Sequence, residues 1–133
     1  MRKAHAEHNE ELCDFLLETK KYNDWVVTTA FYAALNFVKF EMFPLNLPGI
    51  GKFEDFESYL KKSGKGGEKH EILKQLVHKN MKCGGAYRWL LENCMTARYN
   101  EYVVSEQNAK HAKKMLAAVK SHCKKLNPVG KQV

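Results

Sequence analysis

The sequence lacks the patterns that would assign it at once to several common classes of protein. Its four cysteines include no Cys-x-x-Cys pair, which excludes the metal and redox motifs of that spacing and predicts buried, reduced thiols. No stretch is long and apolar enough to span a membrane, and no apolar segment follows the N-terminus as in a secretory signal. No window alternates apolar and polar residues at strand length. These absences predict a helical cytoplasmic protein with no membrane contact, no metal and no cofactor.

A complete phosphate-binding loop is also missing, although two Gly-Lys pairs invite the comparison. Gly51-Lys52 is followed by Phe53, where the Walker loop needs Ser or Thr, and Asn46 stands where its first glycine belongs. No strand is predicted before either pair. We therefore interpret both glycine-containing stretches as hinges, and the second of them, residues 63–67, as a flexible loop.

The most informative stretch that is present runs from Asp24 to Phe43 and is apolar on nearly every face. A helix of this kind must be buried on most sides by other helices. Asn23 or Asp24 offers an N-cap, and Pro44 ends the run after about five turns. Its few polar residues recur at steps of three or four, so they form one stripe along the helix. They are Thr28 or Thr29, Tyr32, Asn36 and Lys39.

Hydrophobic periodicity predicts further helices on both sides of the central one. Their approximate ranges are 4–19, 53–62, 68–80, 84–99 and 105–126. The residues expected to face inward from the first are Leu12, Phe15, Leu16 and Thr19. Those expected to face inward from the last are Ala109, Ala112, Leu116, Val119, Cys123 and Leu126. We predict a single domain over 1–133, an all-α, up-and-down bundle of five to six helices with 126–133 as a loose tail.

One of these helices carries a charged residue on its inward row. The row consists of Tyr87, Leu91, Cys94, Arg98 and Tyr102. Because an unpaired buried guanidinium is very costly, Arg98 must be paired, reach solvent or line a cleft. The polar stripe of the central helix also needs polar neighbours, and packing the two helices together would satisfy both.

We therefore expect this arginine to face Tyr32 and Asn36 across a polar groove, with Tyr102 nearby and Asn100 on the rim. The predicted binding residues are Arg98, Tyr32, Asn36, Asn100, Tyr102 and Lys39. The alternative is a buried structural arginine, bonded to the stripe or to a carboxylate such as Glu101, with no ligand at all. The two interpretations differ in whether the side chain is open to a ligand.

The charge balance favours an anionic partner. Lys and Arg number 22 against 15 Asp and Glu, a net charge of +7, which suits RNA, a nucleotide or an acidic protein, although such an excess can also serve solubility alone. Residues 105–133 carry seven lysines against the single acid Glu106. Lys113, Lys120 and Lys124 are therefore the candidates for an anion-binding surface, and the alternative is an ordinary solvated helix face.

The histidines give no metal-binding pattern. His5 and His8 extend the apolar row of the first helix, but no third ligand stands at a recognisable spacing. We expect them to make ordinary hydrogen bonds near the helix end. His70 and His78 fall on the flanks of the helix predicted at 68–80.

Two stretches carry a resemblance to a known family. Residues 24–36 read Asp-Trp-Val-Val-Thr-Thr-Ala-Phe-Tyr-Ala-Ala-Leu-Asn, and residues 97–99 read Ala-Arg-Tyr. The first resembles the second helix of small HEPN-superfamily proteins, the nucleotide-binding helical bundles of higher eukaryotes and prokaryotes. The second resembles the Ala-Arg-Tyr near the end of a later helix in short members. The likeness covers roughly residues 4–120 and implies a helical bundle that commonly forms a homodimer.

Many members of that superfamily are metal-independent ribonucleases that use an Arg, four to six intervening residues and a His. Arg98 matches the first residue. The His would stand at one of the positions that hold Val103, Val104 and Ser105 here, and His111 lies too far along. The pattern thus departs from the nuclease motif at its proton-transfer group.

We accordingly expect a non-catalytic HEPN-like domain that binds RNA, a nucleotide or a partner protein through a polar groove near Arg98. The alternative is a ribonuclease, the toxin of a toxin–antitoxin pair, in which His70 or His111 replaces the missing His. The resemblance also implies a nucleotidyltransferase-type protein as a possible partner. Whether the protein is an enzyme depends on that replacement.

Overall fold

The computed structural model describes residues 2–63 and 68–126, with side chains from Lys3 to Cys123 within those ranges. Of the predicted loop at 63–67, Ser63 is instead the last residue of a helix, and 64–67 lie outside the described residues, as does the tail beyond 126. Six helices and one two-stranded ribbon make up the described part, which confirms the predicted all-α bundle. They are α1 (Arg2–Thr19), α2 (Asn23–Met42), β1 (Leu45–Leu47), β2 (Gly51–Phe53), α3 (Phe56–Ser63), α4 (Lys69–Asn80), α5 (Gly84–Tyr99) and α6 (Glu106–Leu126).

Helix α2 is the centre of the bundle, as its composition predicts. Thirteen of its 20 residues are buried, because α1, α5 and α6 all pack against it. Its start differs from the expected one, since Tyr22 takes the N-cap position and no side chain caps the helix. Asn23 instead donates from Nδ2 to the backbone oxygen of Val104 at 3.0 Å. That bond ties the start of α2 to the segment that precedes α6.

Helix α1 packs on α2 through a different face from the predicted one. Ala6 and Cys13 are fully buried, whereas Leu12 and Phe15 are 42% and 63% exposed. The two small residues lie seven positions apart, which is two turns along one face. Their size lets the two helices approach closely, so the larger apolar side chains are left toward solvent. The inward orientation predicted for Leu12 and Phe15 is therefore wrong.

A short β-hairpin occupies the stretch after α2 that we predicted to be an irregular loop. Strands β1 and β2 pair antiparallel. Gly49 follows Pro48 with φ at +79°, and the N–H of Ile50 donates to the carbonyl of Leu47 at 2.9 Å, as in a type II turn. Three residues per strand are too few for an alternation to be visible in the sequence.

Because of this hairpin, α3 begins later than predicted. Phe53 belongs to β2, where it is buried and packs edge-on against Tyr59 with ring centroids 5.1 Å apart. The start of the helix is marked by Asp55, whose carboxylate accepts a hydrogen bond from the N–H of Ser58 at 2.7 Å. An Asp three residues ahead of such an N–H is a common N-terminal cap.

The last three helices agree closely with the predicted ranges. Helix α4 begins directly after Glu68, whose carboxylate accepts from the N–H of His70 at 3.0 Å. The inward row predicted for α6 is buried wherever its side chains are described, and that of Leu126 lies outside them. The buried members are Ala109, Ala112, Leu116, Val119 and Cys123.

The four cysteines are free and buried, as predicted. Burial raises the pKa of Cys83 and Cys94 to about 11 and that of Cys123 to about 12. Burial also raises the pKa of Cys13. All four therefore stay protonated at neutral pH, where a thiol is a poor nucleophile.

Candidate functional site

A hydrogen bond between Arg98 and Tyr32 forms the centre of the candidate site. Arg98 lies in the last turn of α5, and its Nη1 donates to the hydroxyl oxygen of Tyr32 on α2 at 2.6 Å. Burial raises the pKa of Tyr32, and the charge of Arg98 opposes that shift. The hydroxyl therefore stays protonated at neutral pH, and its own hydrogen can be donated to a ligand. The structure thus brings together two residues that were expected to face each other.

The guanidinium of Arg98 also lies over aromatic rings. Its Cζ is 5.0 Å from the ring centroid of Tyr99 and 5.9 Å from that of Tyr32, both within the range of a cation–π contact. The side chain of Tyr99 is 65% exposed. Trp25, which is 52% exposed, stands seven residues before Tyr32 and so on the same face of α2. A planar cation beside open rings suits a ligand that has both a phosphate and a base.

The site lies at the end of the bundle where exposed apolar side chains gather. Helices α1 and α5 end there and α2 and α6 begin there, since Asn23 is bonded to Val104. Of the eight large apolar side chains exposed in the described part, all but Ile50 lie within about two turns of these helix ends. The seven are Leu12, Phe15, Tyr22, Trp25, Tyr99, Tyr102 and Val103. Exposed apolar side chains are thus frequent at the end of the bundle where the site lies.

No carboxylate of the described residues neutralises Arg98. Glu101, one of the partners considered in the structural alternative, accepts a hydrogen bond from the N–H of Val103 at 3.1 Å. Arg98 is exposed, because α5 ends only one residue later and the core no longer covers that turn. The burial expected in the structural alternative is therefore wrong, whereas the hydrogen bond to the polar stripe that it also allowed is present, through Tyr32.

Two other polar residues of the α2 stripe, Thr29 and Asn36, form hydrogen bonds within their own helix. Asn36 is buried, and its Nδ2 donates to the carbonyl of Tyr32 at 3.0 Å. The hydroxyl of Thr29 donates to the carbonyl of Trp25 at 2.7 Å. Side chains of Thr and Asn inside helices often bond to the carbonyl four residues earlier in this way. No hydrogen bond joins Arg98 to Asn36 among the described residues.

Three more predicted binding residues lie apart from the Arg98–Tyr32 contact. Lys39 pairs with Glu57 of α3 at 3.2 Å, so it belongs to the packing of that helix. Tyr102 lies beyond the end of α5 and is 73% exposed, and it does not continue the inward row. Asn100 is the exposed C-cap residue of α5, two positions after Arg98.

The two histidines considered as proton-transfer groups fall on different sides of α5. The ring of His70 on α4 lies 6.4 Å from that of Tyr32, centroid to centroid. The ring of His111 packs against Trp89 at 4.7 Å. Trp89 precedes Arg98 by nine residues, which is two and a half turns and so the opposite face of the helix. His111 is therefore not part of the site, whereas His70 contacts its tyrosine.

The lysines of α6 expected to form an anion-binding surface have partners on α1. Lys113 pairs with Glu10 and Asp14, and Lys120 pairs with Glu10. These ion pairs connect α1 to α6 because the acidic residues of α1 face the lysines of α6. The side chain of Lys124 lies outside the described ones. A phosphate would have to displace carboxylates at this surface, so we assign it to packing.

The remaining histidines do not form a metal site in the part of the chain that is described. His5 and His8 are exposed on α1. No group of three or more His, Cys, Asp or Glu side chains among the described residues is placed to hold a metal ion. Over the same residues, no helix has both the length and the apolar character needed to cross a membrane.

No known family model matches this sequence. No curated protein and no solved structure matches it significantly either.

Two exposed aromatic residues near Arg98 and Tyr32 were not among the predicted binding residues, and His70 was considered only as a proton-transfer group. Tyr99 follows Arg98 directly in the chain, and Trp25 precedes Tyr32 by two helical turns. Both positions were available from the sequence, but an apolar ring at helical spacing is usually assigned to the core. The proximity of His70 to Tyr32 depends on how α4 crosses α2, which the sequence of either helix does not specify.

Proposed function

We propose that this chain is a HEPN-like domain that binds single-stranded RNA or a nucleotide, with a phosphate group held by Arg98. The observation that carries the proposal is an exposed guanidinium that is bonded to a tyrosine hydroxyl and to no carboxylate of the described residues. The resemblance of residues 24–36 and 97–99 to HEPN proteins supports the same conclusion.

The chemistry of the site fits a nucleotide in three ways. Arg98 keeps N–H groups that are not used by Tyr32 and can contact two phosphate oxygens at once. Tyr32 has a hydroxyl hydrogen to donate to the same phosphate. The exposed ring of Tyr99 offers a stacking surface for a base. The net charge of +7 adds a long-range attraction for polyanions.

The test is fluorescence anisotropy with labelled single-stranded RNA and a labelled mononucleotide at low and moderate salt. We expect Arg98→Gln to weaken binding about tenfold to a hundredfold, because the variant loses charge-assisted hydrogen bonds to the phosphate. Lys114→Gln is the matched control, since Lys114 is an exposed lysine on α6. Equal weakening by both variants would mean that only net charge matters, and no binding at low salt would favour a protein ligand.

We further propose that the protein is a homodimer. The exposed Leu12 and Phe15 of α1 give an apolar surface that a second copy would cover, and the family resemblance implies the same state. Light scattering should give about twice the chain mass of 15.4 kDa. Phe15→Asp should reduce that mass without changing the helical circular dichroism, and a monomer in the unchanged protein would refute the assignment.

The second candidate function is RNA cleavage with His70 as the proton-transfer group. The position of His70 beside Tyr32 favours it, because a His there could move a proton while Arg98 stabilises the charge on the phosphate. Cleavage of labelled RNA in EDTA, with cyclic phosphate ends, would support it if His70→Ala abolished the activity and His111→Ala did not. Cleavage that survives His70→Ala would exclude this assignment.

A further inference from the structure

A cavity of about 270 Å³ between α4 and α5 is lined mainly by basic side chains. Its lining residues are Lys74, Gln75, His78, Lys79, Gly84 and Arg88. Lys74 is paired with Glu71 at 3.0 Å. Lys79 and Arg88 have no carboxylate partner among the described residues and are exposed. Their two charges therefore converge on a space that no acidic side chain lines.

The wall of this cavity is built by an unusually close approach of the two helices. A Cβ on Gly84 would lie 2.8 Å from Nδ1 of His78 and 3.2 Å from its Cα. Only glycine leaves room for α4 to pack this closely on the first turn of α5. The close packing holds Lys79, the residue after His78, beside the turn that carries Arg88.

The cavity and the Arg98 site lie near opposite ends of α4. At one end of α4 His78 meets Gly84, and at the other end His70 lies beside Tyr32, the partner of Arg98. Arg88 and Arg98 are ten residues apart on α5, which separates them by about 15 Å along the helix axis. Around the axis, their directions differ by only about 80°.

We infer that the cavity is a second phosphate subsite for the same ligand, so that the ligand is an oligonucleotide rather than a mononucleotide. The inference rests on the proposed function of the Arg98 site. A nucleotide repeat has six backbone bonds, twice the number in an amino-acid residue, and so spans about 7 Å when extended. Two phosphates that are two or three nucleotides apart would therefore reach both arginines. Met95, half-buried on the flank of α5 between them, offers apolar contact to a base.

The experiment compares labelled oligouridylates by fluorescence anisotropy, a dinucleotide and an octanucleotide at low and moderate salt. The proteins are the unchanged chain, the double variant Lys79→Gln/Arg88→Gln, the Arg98→Gln variant and the Lys114→Gln control. Circular dichroism confirms that each variant is folded. Both altered cavity residues are exposed, so the fold should tolerate their replacement.

We expect the unchanged protein to bind the octanucleotide at least about tenfold more tightly than the dinucleotide. The double variant should lose most of that difference and reduce the salt slope by about 0.7, the value for one phosphate contact to a single strand. Its affinity for the dinucleotide should not change, whereas Arg98→Gln should weaken both ligands.

Unchanged octanucleotide binding by the double variant, with loss of binding in Arg98→Gln, would overturn the second subsite and leave the proposed function intact. Equal weakening of both ligands by the double variant would also overturn it, because the cavity would then hold the first phosphate. If the unchanged protein binds neither ligand, the proposed function fails and the inference fails with it.

Discussion

The hydrogen bond between Arg98 and Tyr32 can be tested separately for stability and for binding. Tyr32→Phe removes only the hydroxyl and keeps the aromatic ring under the guanidinium. A typical hydrogen bond contributes about 0.5–1.5 kcal/mol net, and an exposed cation–π contact about 0.5–1 kcal/mol. Because Arg98 is exposed and Tyr32 half-buried, water can replace the lost partner of either side chain. We therefore expect each single change to lower the free energy of unfolding by no more than about 1 kcal/mol.

The assay is urea unfolding of the unchanged protein, Tyr32→Phe, Arg98→Gln and the double variant, with RNA affinity measured on the same samples. The double-variant cycle should give a coupling free energy of about 0.5–1 kcal/mol. Leu90→Ala is the control for a structural side chain, since Leu90 is fully buried and its truncation should cost about 2–5 kcal/mol. RNA binding should fall most in the variants that lack Arg98.

The reasoning would be refuted by an Arg98→Gln variant as unstable as Leu90→Ala, because Arg98 would then be needed for the fold. It would also be refuted if Tyr32→Phe weakened RNA binding more than Arg98→Gln. In that case the hydroxyl, rather than the guanidinium, would be the main contact to the ligand.

Three further predictions concern the core. The hydroxyl of Tyr87 is buried without a hydrogen-bond partner among the described residues. Tyr87→Phe should therefore leave the free energy of unfolding unchanged or raise it by up to about 1 kcal/mol. A clear decrease of that free energy in urea unfolding would show that the hydroxyl is bonded. Gly84→Ala should destabilise the protein by about 1–3 kcal/mol through its clash with His78, whereas the control Gly85→Ala, with open space around it, should stabilise by about 0.5–1 kcal/mol. Burial raises the pKa of Cys83 and Cys94 from 9.0 to about 11, so the folded state disfavours the thiolates. The contribution of the two protonated thiols to the free energy of unfolding is complete below pH 9 and is lost as the pH rises toward 11. A free energy of unfolding that stays constant between pH 9 and 11 would contradict this assignment.

The parts of the fold that depend on composition could be predicted from the sequence. Helix α2 is apolar around most of its circumference, and this alone requires neighbours on several sides. The inward row of α6 is a simple repeat of small and apolar residues, and it is buried wherever its side chains are described. The start of α3 was predicted too early because the hairpin, which was not predicted, places Phe53 in a strand. The helix therefore begins after Asp55, which caps it.

The orientation of side chains between helices was harder to predict. Periodicity identifies the apolar rows of α1 but does not show that Ala6 and Cys13, rather than Leu12 and Phe15, lie against α2. Burial of Asn36 was expected to need a partner on another helix, yet the carbonyl of Tyr32 satisfies it locally. The contact between Arg98 and Tyr32 was predictable because both residues lie on helices whose inward faces meet.

The arrangement of helices around α2 has a consequence for the order in which the chain assembles. Helix α1 is joined to α2 by a short turn, so the two can pair early through contacts that are local in sequence. Helix α6 also packs against α2, but it begins at Glu106, far along the chain from the end of α2 at Met42. Until that long loop closes, the side of α2 that α6 covers is open and apolar. An intermediate of this kind would associate with other chains at high concentration, so refolding should be cleanest in dilute solution.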